Sequence, residues 1–399
     1  MKLDKILSEN NKYLIQNYQR FPIEMVKGDG SYVWDSKGKK YLDFISGIAV
    51  NNLGHNNKKV NKAILSQVSK MLHISNLFVI KEQVNYAKEL CKNKAGYKAF
   101  FCNSGTEANE AAFKLARRWG LLNGEKSKIV SFSGAFHGRT FGSLSATSPK
   151  KYRYGFYPLT PGFKSVPFND VDKLEALVKK DKKIAAIIVE PIQGEAGVKF
   201  SSKNFLKKVE SICRIYNILF IVDEVQVGIG RTGKTFCHEH YNISPDVITL
   251  AKALGGGLPC GAMLVNPKFS DFLTPGSHGT TMGGNPLSMA AGIASFKQIS
   301  KRTFLESVEK KGNFFLRKLQ KIENNSMIKE VRGLGLILAI EFNSDAVARK
   351  FCSYCLKKGL LVILTEKYNV RILPPLNVKI KEIDEAMKIF LDALEQIYD

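Results

Sequence analysis

The sequence has 399 residues, of which 44% are hydrophobic and 24% charged, a composition typical of a globular protein with room for more than one lobe. No apolar run reaches the length of a membrane span and the N-terminus lacks a signal-peptide pattern, so we expect a cytoplasmic protein without membrane contact. The formal net charge of +24 raises the question of nucleic acid. Because the excess lysines are dispersed in pairs, a solvated basic surface is the better interpretation, and we predict no nucleic-acid partner.

In chain order, the first predicted structure is a small antiparallel sheet over residues 28–45, where short aromatic runs alternate with glycine-rich turns. From about residue 98, apolar strands alternate with helices in KAFFCN, SKIVSFSG, AAIIVEPI, ILFIVDEV and DVITLAK. This alternation indicates a parallel sheet. From about residue 300, amphipathic helices accompany the strand candidates LILAIEF, GLLVILT and NVRILPP.

The fold class that follows is α/β, with a large domain built on a mainly parallel sheet flanked by helices. A smaller α+β lobe combines the N-terminal segment with the C-terminal region. We predict boundaries at 1–50 for the N-terminal segment, 51–298 for the large domain and 299–399 for the C-terminal domain.

The seven cysteines are scattered and form no disulfide framework. Cys352 and Cys355 have the spacing of a zinc knuckle, but no second pair accompanies them. The surrounding AVARKFCSYCLKKG has the pattern of an amphipathic helix. We therefore predict core cysteines and no metal site.

Residues 228–235, GIGRTGKT, match the phosphate-loop pattern GxxxxGK[ST]. In a nucleotide hydrolase, the acidic strand and the strand that enters the loop are neighbours, whereas here the single strand ending at Asp223 precedes the loop. No long helical pattern follows Thr235. The match is therefore interpreted as coincidental.

Polar residues follow several predicted parallel strands, and the carboxyl ends of such strands meet at one edge of a sheet. They are Asn103 to Thr106, Glu190 to Glu195, Asp223 to Gln226, and Lys252. A buried Asp223 needs a cationic or protonated partner. The small polar residues that open the helix after Asn103 can hold a phosphate at its positive end, and Lys252 can react with an aldehyde. Together, these features match what pyridoxal phosphate requires.

The chain resembles the class III, fold-type-I pyridoxal-phosphate aminotransferases from end to end, and most of all the acetylornithine aminotransferases. The stretches that carry the resemblance include HISNLF, NSGTEANEAAFKLAR, AFHGRT, VEPIQGEAGV, DEVQVGIGRTGK, AKALGGGLP, HGTTMGGNPL, VRGLG and RILPPL.

The resemblance implies a role for each cofactor residue. Lys252 would bind the cofactor covalently and act as general base, and Asp223 would keep the pyridine nitrogen protonated. Gly105 and Thr106 would bind the phosphate, Phe136 and Val225 would cover the two ring faces, and Gln226 would reach the phenolic oxygen. Thr281 would contact the phosphate of a neighbouring subunit, which implies a homodimer with shared sites.

The resemblance also assigns the substrate residues. Arg139 would bind the distal or acyl-amino-acid carboxylate, and Arg371 the α-carboxylate of glutamate. Glu195 would mask Arg371 when the other substrate is present. Thr280, which stands where the family usually has Ser, and Tyr18 would also contact substrate.

The implied reaction moves the distal amine of N-acetylornithine to 2-oxoglutarate, giving N-acetylglutamate 5-semialdehyde and glutamate in arginine biosynthesis. Ornithine, succinyl-diaminopimelate and 4-aminobutyrate remain alternative amine donors. An alternative of another class is a basic anion- or RNA-binding protein that has lost catalysis.

Overall fold

The computed structural model describes residues 3–92 and 96–398. Residues 1–2, 93–95 and 399 fall within the predicted domain boundaries but lie outside the described residues. The strands, numbered in chain order, are β1 (Met25–Asp29), β2 (Tyr32–Asp35), β3 (Lys40–Asp43), β4 (Lys98–Cys102), β5 (Lys128–Phe132), β6 (Phe163–Val166), β7 (Ile184–Val189), β8 (Ile192–Gln193), β9 (Lys199–Phe200), β10 (Leu219–Asp223), β11 (Val247–Leu250), β12 (Gly261–Val265), β13 (Ile328–Leu334), β14 (Ile337–Phe342), β15 (Leu360–Leu361), β16 (Ile363–Thr365) and β17 (Asn369–Ile372).

Helices connect and cover these strands. They are α1 (Leu3–Tyr13), the single turn α2 (Ser46–Ala49), α3 (Lys58–Val68), α4 (Lys81–Cys91), α5 (Gly105–Leu122), α6 (Phe141–Ala146), α7 (Lys150–Arg153), α8 (Val171–Lys180), α9 (Lys203–Ile215), α10 (Pro267–Ser270), α11 (Pro286–Ile299), α12 (Arg302–Gln320), α13 (Asp345–Lys357) and α14 (Ile380–Tyr398). Short 3₁₀ turns span Cys237–His240, Lys252–Gly255 and Glu366–Tyr368.

The central sheet has seven strands in the order β4-β12-β11-β10-β7-β5-β6. Strands β11, β10, β7, β5 and β6 run parallel, and β12 is antiparallel to both of its neighbours, β4 and β11. Six strands therefore share one direction, and their carboxyl ends lie along one edge of the sheet. The predicted α/β class with a mainly parallel sheet is confirmed, while the reversed strand β12 was not predicted.

The strands of this sheet are short apolar runs, as expected for strands that are covered on both faces. Every residue of β7, β10, β11 and β12 is buried. Helix α5 packs the small side chains Ala108, Ala111 and Ala112 inward, which allows close contact between the helix and the sheet. Among the residues that the structure describes, no helix is both long and apolar enough to cross a membrane.

Two four-stranded sheets complete the fold, in the orders β1-β2-β3-β15 and β13-β14-β17-β16. The meander predicted for residues 28–45 is confirmed as β1 to β3. The run GLLVILT was predicted as one strand, but it divides between the two sheets. Leu360 and Leu361 pair with β3, and Ile363 to Thr365 pair with β17. This run physically joins the N-terminal sheet to the C-terminal one, while the three-part division of the chain stays a proposal.

The phosphate-loop pattern forms no nucleotide site in the described fold. Residues 224–236 after β10 contain turns without a helix, and a 3₁₀ turn at Cys237–His240 follows. The Arg231 side chain is fully buried and donates from Nη1 to the carbonyls of Leu336 at 2.8 Å and Pro374 at 2.6 Å. The segment therefore fastens the central sheet to the C-terminal region.

Candidate active site

A cavity of about 490 Å³ lies at the carboxyl edge of the central sheet. It collects residues that follow five different strands, β4, β5, β7, β10 and β11, as the strand-end argument predicts. Of the predicted site residues, those that line it are Gly105, Thr106, Phe136, Arg139, Glu195, Asp223, Val225, Gln226 and Lys252. Arg371 contacts this group from β17, through Glu195 and Gln226.

Asp223 ends β10 and is the most firmly held carboxylate of the cavity. Its Oδ2 accepts from Asn109 Nδ2 at 2.9 Å and lies 2.8 Å from His137 Nδ1. Its Oδ1 accepts from the backbone N–H of Val225 at 3.0 Å. All of these groups are buried or partly buried, so the carboxylate is fixed in direction. A carboxylate has about four acceptor positions, which leaves one on Asp223 toward the cavity.

Lys252 follows β11 and has a φ of 50°, a left-handed conformation that is unusual for a residue with a side chain. Gly256 and Gly257, also at positive φ, turn the chain behind it. Burial first, and then the charge of Arg371, lower the pKa of the Lys252 amine to about 8 from 10.5. The strained backbone and the easily deprotonated amine are both typical of a reactive lysine.

Helix α5 begins at the cavity, where its first backbone N–H groups have no partners within the helix. Ser104 is its N-cap and accepts from the N–H of Glu107 at 3.3 Å. Thr106 Oγ1 lies 2.8 Å from Thr140 Oγ1. A Cβ on Gly138 would lie 2.3 Å from Thr106 Oγ1, so the turn after β5 approaches the helix start too closely for any side chain.

Phe136 and Val225 both line the cavity, on the loops after β5 and β10. A Cβ on Gly105 would lie 2.7 Å from Val225 Cγ1, so glycine is required where the helix start meets this side chain. The Phe136 ring packs edge-on against Tyr152 with 5.3 Å between ring centroids. Each of the two loops therefore offers an apolar side chain to a planar group in the cavity.

The Arg371 guanidinium is buried and donates from Nη1 to Glu195 Oε1 at 2.8 Å and to Gln226 Oε1 at 3.1 Å. Burial acts to raise the pKa of Glu195, but the charge and hydrogen bond of Arg371 outweigh it and lower that pKa. Arg371 Nε makes no hydrogen bond among the described residues. This ion pair therefore leaves part of the hydrogen-bonding capacity of Arg371 unused.

Arg139 differs from Arg371 in both exposure and partners. It is exposed, and its guanidinium lies over the rings of Tyr152 at 4.2 Å and Phe136 at 5.5 Å. No carboxylate of the described chain forms an ion pair with it. Stacking on aromatic faces holds a guanidinium in place and leaves its N–H groups available to an incoming anion.

Glu190 is a second buried carboxylate in the cavity; the sequence placed it at this edge of the sheet but assigned it no role. Its Oε2 accepts from the backbone N–H of Phe136 at 3.0 Å. Burial, together with the neighbouring charge of Asp223, raises the pKa of Glu190 well above its usual value. Glu190 therefore helps to fix the loop that carries Phe136.

Besides Arg371, three predicted residues do not line the cavity of the single chain: Thr280, Thr281 and Tyr18. Thr280 Oγ1 accepts from Asn103 Nδ2 at 3.0 Å, which places its hydroxyl beside the start of α5. Thr281 is exposed, and Tyr18 is 68% exposed.

Asn109 and His137 hold Asp223, yet neither was predicted. The signal was indirect, because a buried Asp at a strand end requires hydrogen-bond donors. Two motifs that carry predicted residues also contain such donors, Asn109 in NSGTEANE and His137 in AFHGRT.

Comparison with known families matches residues 13–394 to the family Aminotransferase class-III. The acetylornithine aminotransferase of Caldanaerobacter subterraneus subsp. tengcongensis is 45% identical over 98% of this chain and 100% of its own length. The solved structure of the Toxoplasma gondii ornithine aminotransferase has a TM-score of 0.95 at 30% identity, covering 100% of this chain and 96% of that one. The acetylornithine aminotransferase of Elizabethkingia anophelis has a TM-score of 0.88 at 34% identity, covering 99% of this chain and 100% of that one.

The chain belongs to the class III aminotransferases, as its motifs predict. Enzymes of this family are pyridoxal-phosphate-dependent transferases, and the cavity fits that cofactor. The unused acceptor position of Asp223 suits a protonated ring nitrogen, the start of α5 suits a phosphate, and the pair Phe136 and Val225 suits the two faces of a ring. Lys252 supplies an amine in the same cavity.

Proposed function

We propose that this aminotransferase moves the distal amine of N-acetylornithine to 2-oxoglutarate, giving N-acetylglutamate 5-semialdehyde and glutamate. The observation that carries the proposal is the contrast between two arginines of one site. Arg139 has no acidic partner in the described chain, whereas Arg371 is covered by Glu195. Relatives named acetylornithine aminotransferase, 45% identical over nearly the whole chain, support this choice of substrate.

When bound, pyridoxal phosphate supplies an electron sink for the carbon that carries the amine. The proposal gives Lys252 two tasks, to hold the cofactor through Nζ and to move a proton to and from the substrate carbon. Asp223 holds a proton on the ring nitrogen, and the contacts of its carboxylate with Asn109 and His137 fix the orientation of that carboxylate. Gly105 and Thr106 bind the phosphate at the start of α5, and Gln226 orients the phenolic oxygen.

At the substrate end, Arg139 binds the carboxylate of the acylated amino acid. The distal amine then points toward the cofactor, while the Glu195 carboxylate keeps Arg371 neutralised. When glutamate enters, its α-carboxylate replaces Glu195 on Arg371, since a bidentate carboxylate can also use the unpaired Nε. One site thereby accepts two substrates with different charge patterns.

Acylation distinguishes N-acetylornithine from ornithine physically. A free α-ammonium would lie beside the Arg139 guanidinium without a counter-charge, whereas an acetylated nitrogen is neutral. The difference is worth roughly 1–3 kcal/mol, or about five- to 150-fold in kcat/KM.

The test is a set of kcat/KM values for N-acetylornithine, ornithine, succinyl-diaminopimelate and 4-aminobutyrate, with 2-oxoglutarate as acceptor. We expect an acylated amine to be the best substrate. Ornithine is the second candidate, because the Toxoplasma gondii ornithine aminotransferase shares the whole fold. If ornithine or 4-aminobutyrate exceeds both acylated amines, the substrate proposal is wrong while the aminotransferase class stands.

We further propose that two copies of the chain form a homodimer with shared sites. Large apolar side chains are exposed on residues 77–79, where Leu77 is 89% and Val79 is 90% exposed. This segment is tied to the loop of Thr281, since Asn76 Nδ2 donates to the carbonyls of Thr280 at 3.1 Å and Gly283 at 3.0 Å. A patch of this kind marks an interface, and Thr281 would reach the phosphate of the other copy.

Oligomeric state in solution tests this arrangement. Light scattering during size-exclusion chromatography should give twice the mass of one chain, and Leu77→Asp with Val79→Asp should give inactive monomers. A monomeric protein with full activity would contradict it.

The seven cysteines, all free thiols, suit the reducing cytoplasm in which we propose the enzyme acts.

A further inference from the structure

Outside the cavity, a cluster of charged side chains surrounds Arg332 on β13, a residue to which the catalytic scheme gives no task. Its side chain is buried and contacts two separate parts of the molecule. On one side, Nε donates to the carbonyl of Gly197 at 2.9 Å, and Nη2 donates to the same carbonyl at 2.5 Å. On the other side, Nη2 donates to Asn369 Oδ1 on β17.

Both parts carry one member of the Glu195 and Arg371 ion pair. Gly197 and Glu195 lie in the same tight loop, residues 194–198, between the paired strands β8 and β9. Asn369 lies on β17 two residues before Arg371. Arg332 therefore joins the backbone that presents the carboxylate to the strand that presents the guanidinium.

The close approach at this point has a glycine requirement. Gly197 has a φ of 95°, and a Cβ there would lie 2.3 Å from Asn369 Cγ. The loop therefore packs directly on the side chain that Arg332 also binds. A different residue at this position would force the loop away from β17.

Acidic side chains hold the arginine in place. Arg332 Nη2 lies 2.9 Å from Glu341 Oε2, and Lys199 Nζ, at the end of the same hairpin, lies 2.7 Å from that oxygen. Burial acts to raise the pKa of Glu341, but hydrogen bonds from Lys199 and Lys329 outweigh it and lower that pKa to about 2. Glu341 is thus ionised at neutral pH, and it contacts both Arg332 and Lys199.

We propose that Arg332 is a positioning residue that sets the balance between the masked and the open state of Arg371. By fixing the backbone at Gly197, it keeps Glu195 in register with Arg371, so that only the Glu195 side chain has to move when a carboxylate enters. This inference rests on the proposed exchange at Arg371 and adds a residue that controls it.

Replacement of Arg332 by lysine is the sharpest change, because a single ammonium keeps the charge but cannot span Gly197, Asn369 and Glu341 together. In the holoenzyme, we expect the half-reaction with N-acetylornithine to slow about tenfold and that with glutamate to change less than about twofold. Glutarate, a dicarboxylate without an amine, should bind more tightly by calorimetry because Arg371 is more often open. Equal slowing of both half-reactions, or unchanged glutarate binding, overturns the inference.

Two further variants separate positioning from general loss of stability. Lys199→Ala removes the ion pair between β9 and Glu341. As in Arg332→Lys, it should slow the N-acetylornithine half-reaction more than the glutamate half-reaction, but by a smaller factor. Lys329→Ala removes the other ion pair of Glu341, at 2.8 Å on β13 itself, and should leave both half-reactions and glutarate binding unchanged. If Arg332→Lys does not fold, Lys199→Ala carries the test, and its failure to separate the half-reactions is then the contradicting result.

Glu195→Ala, measured in parallel, distinguishes failure of the inference from failure of the proposed function. A difference between half-reactions in Glu195→Ala but not in Arg332→Lys overturns only the role of Arg332. The absence of a difference in both variants overturns the exchange at Arg371 and the role of Arg332 together.

Discussion

The two ends of the cavity hold their carboxylates in different ways. Asp223 is contacted by Asn109 on α5 and by His137 and the Val225 backbone on the loops after β5 and β10. The side chain of Glu195 is paired with Arg371 at 2.8 Å, and Arg371 keeps an unpaired Nε. The Asp223 carboxylate is thus held by several bonds at once, and the Glu195 carboxylate by its ion pair with Arg371.

This difference follows from what each end must do. A group that stays bound through every turnover is served best by a preorganised partner that never moves. A site that receives two substrates in turn needs an internal partner that either substrate can replace at small cost. An ion pair with unused hydrogen-bonding capacity meets that need. The incoming carboxylate forms the charged hydrogen bonds with Arg371 that replace the one lost by Glu195.

The largest effect is expected at Lys252. In Lys252→Ala, activity should fall by at least about 10,000-fold, because both the attachment of the cofactor and the proton transfer are lost. Borohydride reduction of the wild-type holoenzyme, followed by peptide mapping, should place the pyridoxyl group on Lys252. A label on another lysine would refute the assignment.

Asp223 comes next, because it acts in every step at the end proposed for the cofactor. Asp223→Ala should weaken cofactor binding and slow both half-reactions about 100- to 1,000-fold, since the protonated ring nitrogen loses its counter-charge. Single-turnover absorbance measurements separate the half-reactions. A large loss in one half-reaction alone would contradict the proposed role.

Arg139 should affect one substrate class more than the other. Arg139→Met should lower kcat/KM for N-acetylornithine by about ten- to 100-fold, which corresponds to the loss of a charged hydrogen-bonded contact. The rate with 1,4-diaminobutane, an amine donor that has no carboxylate for Arg139 to bind, serves as the internal comparison. Unchanged kcat/KM for N-acetylornithine would remove Arg139 from the substrate site.

The smallest effect concerns pH. Since the pKa of Lys252 is lowered to about 8, the neutral amine forms as the pH rises through that value. The rate at which apoprotein takes up pyridoxal phosphate should therefore rise by about tenfold per pH unit below 8 and level off above it. In Arg371→Met the midpoint should move upward, because the charge of Arg371 contributes to the shift. A rate that keeps rising to pH 10 would show an unperturbed lysine.

Sequence reasoning succeeded where the evidence was local. The apolar strands β4, β5, β7, β10 and β11 end next to polar residues, and the direction rule for parallel strands places those residues together. It failed where contacts depend on packing between distant segments. Asn109, His137 and Arg332 act through neighbours far along the chain, and the run GLLVILT contains no signal that its halves join different sheets. The strand β12 was not predicted at all, and its short run GAMLV contains no signal that it runs against its neighbours.

The most direct test of the contrast between the two ends is the pair of half-reactions in Glu195→Ala. Without Glu195, Arg371 stays open, so the glutamate half-reaction should be retained or faster. The N-acetylornithine half-reaction should slow about tenfold or more, because an exposed guanidinium faces the incoming amine. Single-turnover absorbance changes measure both rates in one preparation. Equal losses in the two half-reactions would contradict an exchangeable ion pair and leave Glu195 and Arg371 with a structural role only.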